Sequence, residues 1–460
     1  MDRIELKRAG FLKGEITPPP DKSISHRAVL FSSLAKGASR IKNFLAAEDP
    51  LSTMKAMKML GVDFVLPPAL HSRVEKPHPL IASDSPCEAS FDLIVHGHGL
   101  AGLKEPPDVI DCGNSGTTIR LISGILSGNP FFSVLTGDDS LKQRPMARVI
   151  NPLKEMGARI SARDNDRYPP IAIRGGGLKA INYVMPMASA QVKSSLVLAA
   201  LYADGTTTIS EPQRSRDHTE RMLKAMGADI AVDGLSLRVN GGRASAGGYD
   251  LSPVDITVPG DFSSAAFFIT AALIIPDSEI TIRNVGMNPT RTGLLDALKL
   301  MGAVVEIRDL HEVSGEPVAD IYCRGKADLK GIDIGGDMVP SMIDEFPILC
   351  IAAASAEGTT NIRGAAELRV KESDRIKAMA SELRKMGVEV EEYPDGISIQ
   401  GAKQLKGAVV ESYGDHRIAM SLAVAAMAAD GQTTINGASA VDISFPGFFD
   451  ILDRLGQQAA

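Results

Sequence analysis

The sequence predicts an α/β protein of two domains, each assembled from three copies of one supersecondary unit. The first observation behind this is length: 460 residues exceed what one hydrophobic core holds together, so two or three domains are expected. The second is a segment that recurs six times, a helical stretch ending on an apolar residue, then Gly, then the start of a strand. Its copies are Met59-Leu60-Gly61-Val62, Glu155-Met156-Gly157-Ala158, Ala225-Met226-Gly227-Ala228, Leu300-Met301-Gly302-Ala303, Lys385-Met386-Gly387-Val388 and Arg454-Leu455-Gly456. Glycine suits the position just past a helix, where the backbone turns left-handed. The third observation is an Ala-rich apolar helix, then Gly, then a β-branched strand. It occurs at residues 199–205 before Thr206, 352–358 before Thr359 and 426–431 before Thr433.

Along the chain, the first 18 residues read as a strand running into the stiff connector Pro18-Pro19-Pro20. Alternating strands and tight turns follow the middle copies, as in Val388-Glu389-Val390-Glu391 before Pro394-Asp395-Gly396. Adjacent copies lie about 70 to 95 residues apart, the size of a βα subdomain rather than a solenoid repeat. Six copies divide into two sets of three at the Gly-rich stretch 247–253. The expected domains are therefore 19–250, and 1–18 with 251–460.

Composition excludes several classes of function. Apolar residues make up 44% and charged residues 23%, a globular balance, and Trp is absent. Net charge is −7, from 49 basic and 56 acidic residues, which argues against a nucleic-acid coat but permits a local basic pocket. The cysteines Cys87, Cys112, Cys323 and Cys350 form no CxxC pair and no metal-ligand spacing with His, so neither a disulfide framework nor a metal site is expected. The start of the chain has no apolar signal core, and no apolar run approaches the roughly 20 residues of a membrane span, so a cytoplasmic protein is expected.

Five segments gather cations and small polar residues at expected helix starts, where free N–H groups and the helix dipole favour anions. They are Asp21-Lys22-Ser23-Ile24-Ser25-His26-Arg27; Asp111-Cys112-Gly113-Asn114-Ser115-Gly116-Thr117-Thr118-Ile119-Arg120; Lys142-Gln143-Arg144-Pro145-Met146; residues 189–195 with Ser215-Arg216-Asp217-His218; and residues 369–375 with Gly414-Asp415-His416-Arg417. Each segment alone also reads as ordinary capping or a solvated ion pair, and their recurrence is what points to small anionic substrates. Asp344 alone reads as a helix N-cap. Gly97-His98-Gly99-Leu100-Ala101-Gly102 matches the GxGxxG pattern, but Lys104-Glu105-Pro106-Pro107 follows, so a hairpin is expected and no dinucleotide site.

In order along the chain stand Lys22-Ser23 with Arg27, Gly113-Asn114-Ser115-Gly116-Thr117, Arg144-Pro145-Met146 and Ser189-Ala190-Gln191. Residues 215–220, Ile343-Asp344-Glu345-Phe346-Pro347, residues 369–375 and Asp415-His416-Arg417 continue the series. Together they resemble the shikimate-pathway enolpyruvyl transferases, the 5-enolpyruvylshikimate-3-phosphate synthases, across essentially the whole chain. The resemblance implies a two-domain inside-out α/β barrel of enolpyruvyl transferase type, with six βαβαββ repeats, three per domain, and an active site in the interdomain cleft. It implies a metal-free, cofactor-free addition–elimination through a tetrahedral intermediate. The enolpyruvyl group of phosphoenolpyruvate then passes to the 5-hydroxyl of shikimate 3-phosphate. Shikimate 3-phosphate is expected at Lys22, Ser23, Arg27, Ser189, Gln191, Asp344 and Lys371, with Arg216 as an additional contact of this subgroup. Phosphoenolpyruvate is expected at Lys22, Asn114, Gly116, Arg144, Gln191, Arg375 and Arg417. Asp344 is the expected general base, Glu372 and Lys22 the carriers of the proton at C3, and His416 either orients Arg417 or holds local structure. The two substrates are the only partners expected, with no nucleic acid, no membrane and a monomeric chain.

The chain departs from the family pattern in three places. Ile443 stands where many members have a Lys, Glu367 where they have an Asn that contacts the shikimate ligand, and Leu121 where another subgroup has Pro. These place it in the divergent bacterial subgroup. Two other readings remain. A UDP-N-acetylglucosamine enolpyruvyl transferase would need a reactive Cys where Leu141, Lys142 and Gln143 stand. A non-catalytic phosphate- or RNA-binding repeat protein would leave Asp344, Glu372 and Asp415 repelling the ligand. Because Gly116 is Gly and not the Ala of tolerant members, inhibition by glyphosate is expected when phosphoenolpyruvate is held near its Michaelis constant. Undiminished turnover under those conditions contradicts it.

Overall fold

The computed structural model describes residues 2–68, 90–241, 250–325, 327–336 and 338–457. Contacts divide the chain into two compact units, one of Pro20–Val258 with Val313–Glu316, the other of Met1–Pro19, Pro259–Glu312 and Pro317–Ala460. Each has its own hydrophobic core. Among the described residues each unit also has three sheets. The fold is the two-domain inside-out α/β barrel with three repeats to a unit, five of the six showing the full βαβαββ set of strands among the described residues and the last a three-stranded sheet.

The middle copy of the N-terminal unit shows the plan. Ile110–Asp111 runs parallel to Phe132–Thr136, which pairs antiparallel with Tyr168–Arg174, and that strand pairs with Arg159–Ala162. Asn182–Val184, Thr206–Ser210, Ser236–Asn240 and Ile230–Asp233 repeat it, as do Asp333–Ile334, Thr359–Ile362, Gly396–Gln400 and Glu389–Tyr393. In the last of these, Tyr393 pairs with Gly396 across the two-residue Pro394-Asp395 turn that the sequence signals.

The first copy in each unit takes its leading strand from a remote part of the chain. Ile256–Thr257 pairs parallel with Ile41–Lys42, and Lys13–Ile16 with Glu279–Ile282. This is why contacts keep residues as far as Val258 with the N-terminal unit, whereas the expected boundary fell at 250/251. Part of that Gly-rich stretch, 247–249, lies outside the described residues. The opening residues form two strands rather than one, since Arg3–Lys7 separately pairs with Gln432–Asn436 and completes the three-stranded last sheet.

Each unit buries three helices at its middle. They are Lys22–Leu34, Gly116–Gly128 and Ala190–Ala200 in one, and Phe262–Ile274, Phe346–Ala354 and His416–Ala428 in the other. Every residue of Phe262–Ile274 and of Phe346–Ala354 is buried, which is why these stretches read as apolar on all sides rather than striped. Close approach fixes one sequence position: a Cβ on Gly124 would stand 2.1 Å from the Ser195 carbonyl oxygen of the neighbouring helix.

Five of the six repeat glycines sit at positive φ as expected: Gly61, Gly157, Gly227, Gly302 and Gly387. The sixth does not. Gly456 lies inside the Phe448–Gln457 helix, with helical backbone on both sides of it. The GxGxxG stretch likewise opens no helix, but it forms no hairpin either; Ser90–His98 ends in a turn at residues 100–101. One substitution should therefore act with opposite signs at two copies of the motif. Gly387→Ala, at φ 84°, should lower the thermal midpoint by an amount equivalent to about 1–2 kcal/mol. Gly456→Ala meets only Leu12 and Met427 at 4.0 Å and should leave the midpoint unchanged or raise it by up to about 1 kcal/mol. Equal losses at both would contradict the assignment.

Candidate active site

The predicted cationic segments fall at helix starts, and within each unit the side chains of several starts interlock. In the N-terminal unit Asp21 caps the Lys22–Leu34 helix, accepting from the Ile24 amide at 2.8 Å. Lys22 opens that helix and pairs with Asp49 at 3.1 Å. One turn on, Arg27 is buried and donates to Thr219 Oγ1 and Ser194 Oγ, each at 2.8 Å, and to the Ser23 carbonyl at 3.0 Å. Ser115 caps the Gly116–Gly128 helix and Ser189 the Ala190–Ala200 helix. Gln191 joins these two starts, accepting from Arg120 at 2.7 Å and donating to Thr117 Oγ1 at 3.0 Å. Arg144 donates to Asn114 Oδ1 and to Ser140, while Asn114 donates to Asp138 at 2.7 Å. A Cβ on Gly116 would stand 2.7 Å from Arg120 Nη1 and 3.3 Å from Arg144 Nη1, so two guanidiniums flank that glycine.

In the C-terminal unit the centre is Arg375, 1% exposed. Its Nε donates to Asp415 Oδ2 at 2.8 Å, Nη2 to Glu372 Oε2 at 2.7 Å and Nη1 to Asp344 Oδ1 at 3.4 Å. Burial disfavours the charge, but Asp415, Glu372 and Asp344 outweigh it and raise the pKa. Arg417 lies beside it, donating to the Asp344 carbonyl at 3.1 Å, with its other nitrogen 3.6 Å from the Asp344 carboxylate. Lys371 pairs with Glu367 at 2.9 Å. Asp344 is not the N-cap that its position suggested: the helix begins at Phe346 with Glu345 at the cap, and Asp344 stands one residue outside, held against two arginines. His416 is buried in the first turn of its helix, while the contacts that hold the Arg417 guanidinium come from Asp344 and Glu345.

The family described as EPSP synthase (3-phosphoshikimate 1-carboxyvinyltransferase) matches residues 6–77 and 87–452. The chain is 55% identical to the 3-phosphoshikimate 1-carboxyvinyltransferase of Thermodesulfovibrio yellowstonii, over 99% of this chain and 100% of that one. It is 52% identical to the protein of that name from Syntrophomonas wolfei, over 96% and 97%. Among solved structures, an EPSP synthase from Acinetobacter baumannii superposes with a TM-score of 0.83 at 42% identity, covering 99% of this chain and 98% of that one. The chain belongs to the EPSP synthase family. It is a transferase.

Two buried arginines were given no role from the sequence, Arg120 and Arg291. Arg120 lay inside a quoted motif, four residues after Gly116, and its helical spacing back to the glycine was the available signal. Arg291 carried no motif; it is buried and donates to Ser263 Oγ at 2.7 Å and Asp261 at 3.2 Å, with Glu345 at 4.0 Å. Leu141-Lys142-Gln143 forms a short 3-10 turn before Arg144, so no thiol stands there. Cys112, Cys323 and Cys350 are buried, and burial pushes each thiol pKa up; Cys87 lies outside the described residues. No group of three or more His, Cys, Asp or Glu among the described residues could hold a metal ion.

A buried string of side chains ties the Lys22 helix to the Gly116 loop. His26 Nδ1 lies 2.7 Å from Thr53 Oγ1, Thr53 lies 2.6 Å from Thr118 Oγ1, and the Thr118 hydroxyl donates to Ser115 Oγ at 2.7 Å. Thr118 spends its one hydroxyl proton on Ser115, so Thr53 must donate to Thr118 and His26 Nδ1–H to Thr53. His26 Nε2 has no hydrogen-bond partner among the described residues. Burial first, then the charges of Lys22 and Arg27, hold the His26 pKa well below its ordinary 6.5. A depressed pKa contributes stability that is complete above 6.5, the value in the unfolded chain, and lost as pH falls below it. Between about pH 7 and pH 5 the thermal midpoint of the native chain should therefore fall more steeply than that of His26→Asn. Parallel curves would contradict the buried neutral imidazole.

Proposed function

We propose that this chain performs the EPSP synthase reaction with the side chains gathered at its helix starts. The reaction transfers the enolpyruvyl group of phosphoenolpyruvate to the 5-hydroxyl of shikimate 3-phosphate and releases phosphate. The observation that carries the assignment of roles is Asp344 set against Arg375 and Arg417, at 3.4 and 3.6 Å. A carboxylate in that position can take the proton of a hydroxyl while the guanidiniums beside it bind the second, anionic substrate.

In the addition step the 5-oxygen bonds to C2 of phosphoenolpyruvate. Its proton passes to Asp344, and the electron pair of the C2–C3 double bond takes a proton at C3. Glu372 and Lys22 are the candidate donors for that carbon. In the elimination step C3 gives a proton back, the double bond re-forms and the C2–O bond to phosphate breaks. Lys22, Asn114, Gly116, Arg144, Gln191, Arg375 and Arg417 are assigned to phosphoenolpyruvate, and Arg120 joins them through Gly116 and Gln191. Arginine forks suit both its carboxylate and its phosphate, and they stabilise the charge that builds on the leaving phosphate. Ser23, Arg27, Ser189, Gln191, Arg216 and Lys371, with Lys22 and Asp344, are assigned to shikimate 3-phosphate. His416 is assigned a supporting role, orienting Arg417 or its neighbours or holding local structure.

The two substrates as sole partners and a monomer in the cytoplasm complete the proposal. Among the described residues no helix is long and apolar enough to cross a membrane.

Asp344→Asn preserves the shape facing both arginines and removes the base. Phosphate release at saturating substrates should fall by about 10²- to 10⁴-fold, with the Michaelis constant for phosphoenolpyruvate changed by less than roughly tenfold. A turnover number near that of the native chain would overturn the role given to Asp344.

A further inference from the structure

The loop that carries Arg216 is fastened at both ends to two adjacent residues of the Ala190–Ala200 helix. At its first end the Lys193 ammonium donates to Glu211 Oε2 at 2.8 Å and to the Ser215 carbonyl at 3.3 Å, and the Ser215 hydroxyl donates to Glu211. Lys193 also reaches Glu220 Oε1, 2.7 Å away, in the helix that follows the loop. At the second end Ser194 Oγ and Thr219 Oγ1 stand 2.7 Å apart, and both accept from Arg27. Lys193 is 2% exposed and each glutamate 7%. Burial works against the Lys193 charge, yet Glu220 and Glu211 outweigh it and raise its pKa. Glu220 Oε2 has no hydrogen-bond partner among the described residues.

A buried charged trio of this kind is a weak source of stability compared with an apolar one, so its use lies in what it fixes. What it fixes here is specific. The carbonyl that accepts from Lys193 belongs to the peptide bond joining Ser215 to Arg216. A two-point attachment at Glu211 and Ser215 also sets the path of the loop relative to the helix that starts at Ser189 and Gln191.

We propose that Lys193 is a positioning residue for shikimate 3-phosphate, holding the Ser215–Arg216 peptide so that the Arg216 guanidinium is presented to the substrate phosphate. The inference rests on the assignment of Arg216 to that substrate made above. Lys193 does not touch substrate; it acts through the loop.

The test is a double-mutant cycle with steady-state kinetics on Lys193→Met, Lys193→Arg, Arg216→Ala and the pair Lys193→Met with Arg216→Ala. Arg216→Ala and Lys193→Met should each raise the Michaelis constant for shikimate 3-phosphate roughly ten- to a hundredfold. The constant for phosphoenolpyruvate and the turnover number should stay within about threefold. Lys193→Arg should recover most of the loss. The double variant should be no worse than Arg216→Ala alone, because the two act in series. Should Lys193→Met unfold at assay temperature, the triple variant Lys193→Met, Glu211→Gln, Glu220→Gln leaves no charge stranded and supplies the same comparison. Additive losses in the double variant, or equal rises for both substrates, would overturn the inference. So would a native constant in Lys193→Met when Arg216→Ala raises it. A native constant in Arg216→Ala itself would overturn the Arg216 assignment, and the inference with it.

Discussion

The first backbone N–H groups of a helix have no partner within it, and satisfying them at the ends of six largely buried helices organises the molecule. Five of the six inner helices begin on a side chain that accepts from a backbone amide of the first turn: Asp21, Ser115, Ser189, Asp261 and Asp415. Those caps are the polar ends of otherwise apolar rods, so polar and charged residues gather at them. The exception is informative. The Phe346–Ala354 helix has no side-chain cap, and the two carboxylates before it face elsewhere, Asp344 to Arg375 and Arg417, and Glu345 to Ser263. There the two carboxylates answer to arginine and serine partners in place of the helix start.

Cations at these starts are held, not loose. Arg375 meets three carboxylates, Arg27 two hydroxyls and a carbonyl, and Arg144 an amide and a hydroxyl. Breaking such a buried pair by removing one member strands the other at a cost of about 3–5 kcal/mol, so each member constrains its partners. A phosphate or carboxylate arriving at such a cluster would find guanidiniums already oriented, and its affinity would be the difference between its own contacts and those it displaces or joins. The departures from the family pattern fit this economy of charge. Glu367, in place of an Asn, pairs with Lys371. Ile443, in place of a Lys, packs against the apolar core of its unit.

Much of this was legible in the residues. The positive-φ glycines and the Ala-rich helices repeat at intervals that give the copy number, and the cationic segments lie at the helix starts where the sequence put them. The illegible parts share a cause, which is that they depend on pairing between distant segments. Nothing local marks Lys13–Ile16 or Ile256–Thr257 as the leading strand of another segment's sheet. Gly456 looks like its five counterparts in sequence, yet its helix runs through it. Arg291 has no neighbours in sequence to announce it, since Asp261, Ser263 and Glu345 come from elsewhere in the chain. The His26–Thr53–Thr118–Ser115 string is likewise built from three separate helices and a cap.

The most direct test is phosphate release from phosphoenolpyruvate by the native chain, measured with shikimate 3-phosphate and, separately, with UDP-N-acetylglucosamine. Release that requires shikimate 3-phosphate and is absent with the sugar nucleotide is the result predicted. No release with shikimate 3-phosphate, or release driven by the sugar nucleotide, would contradict it.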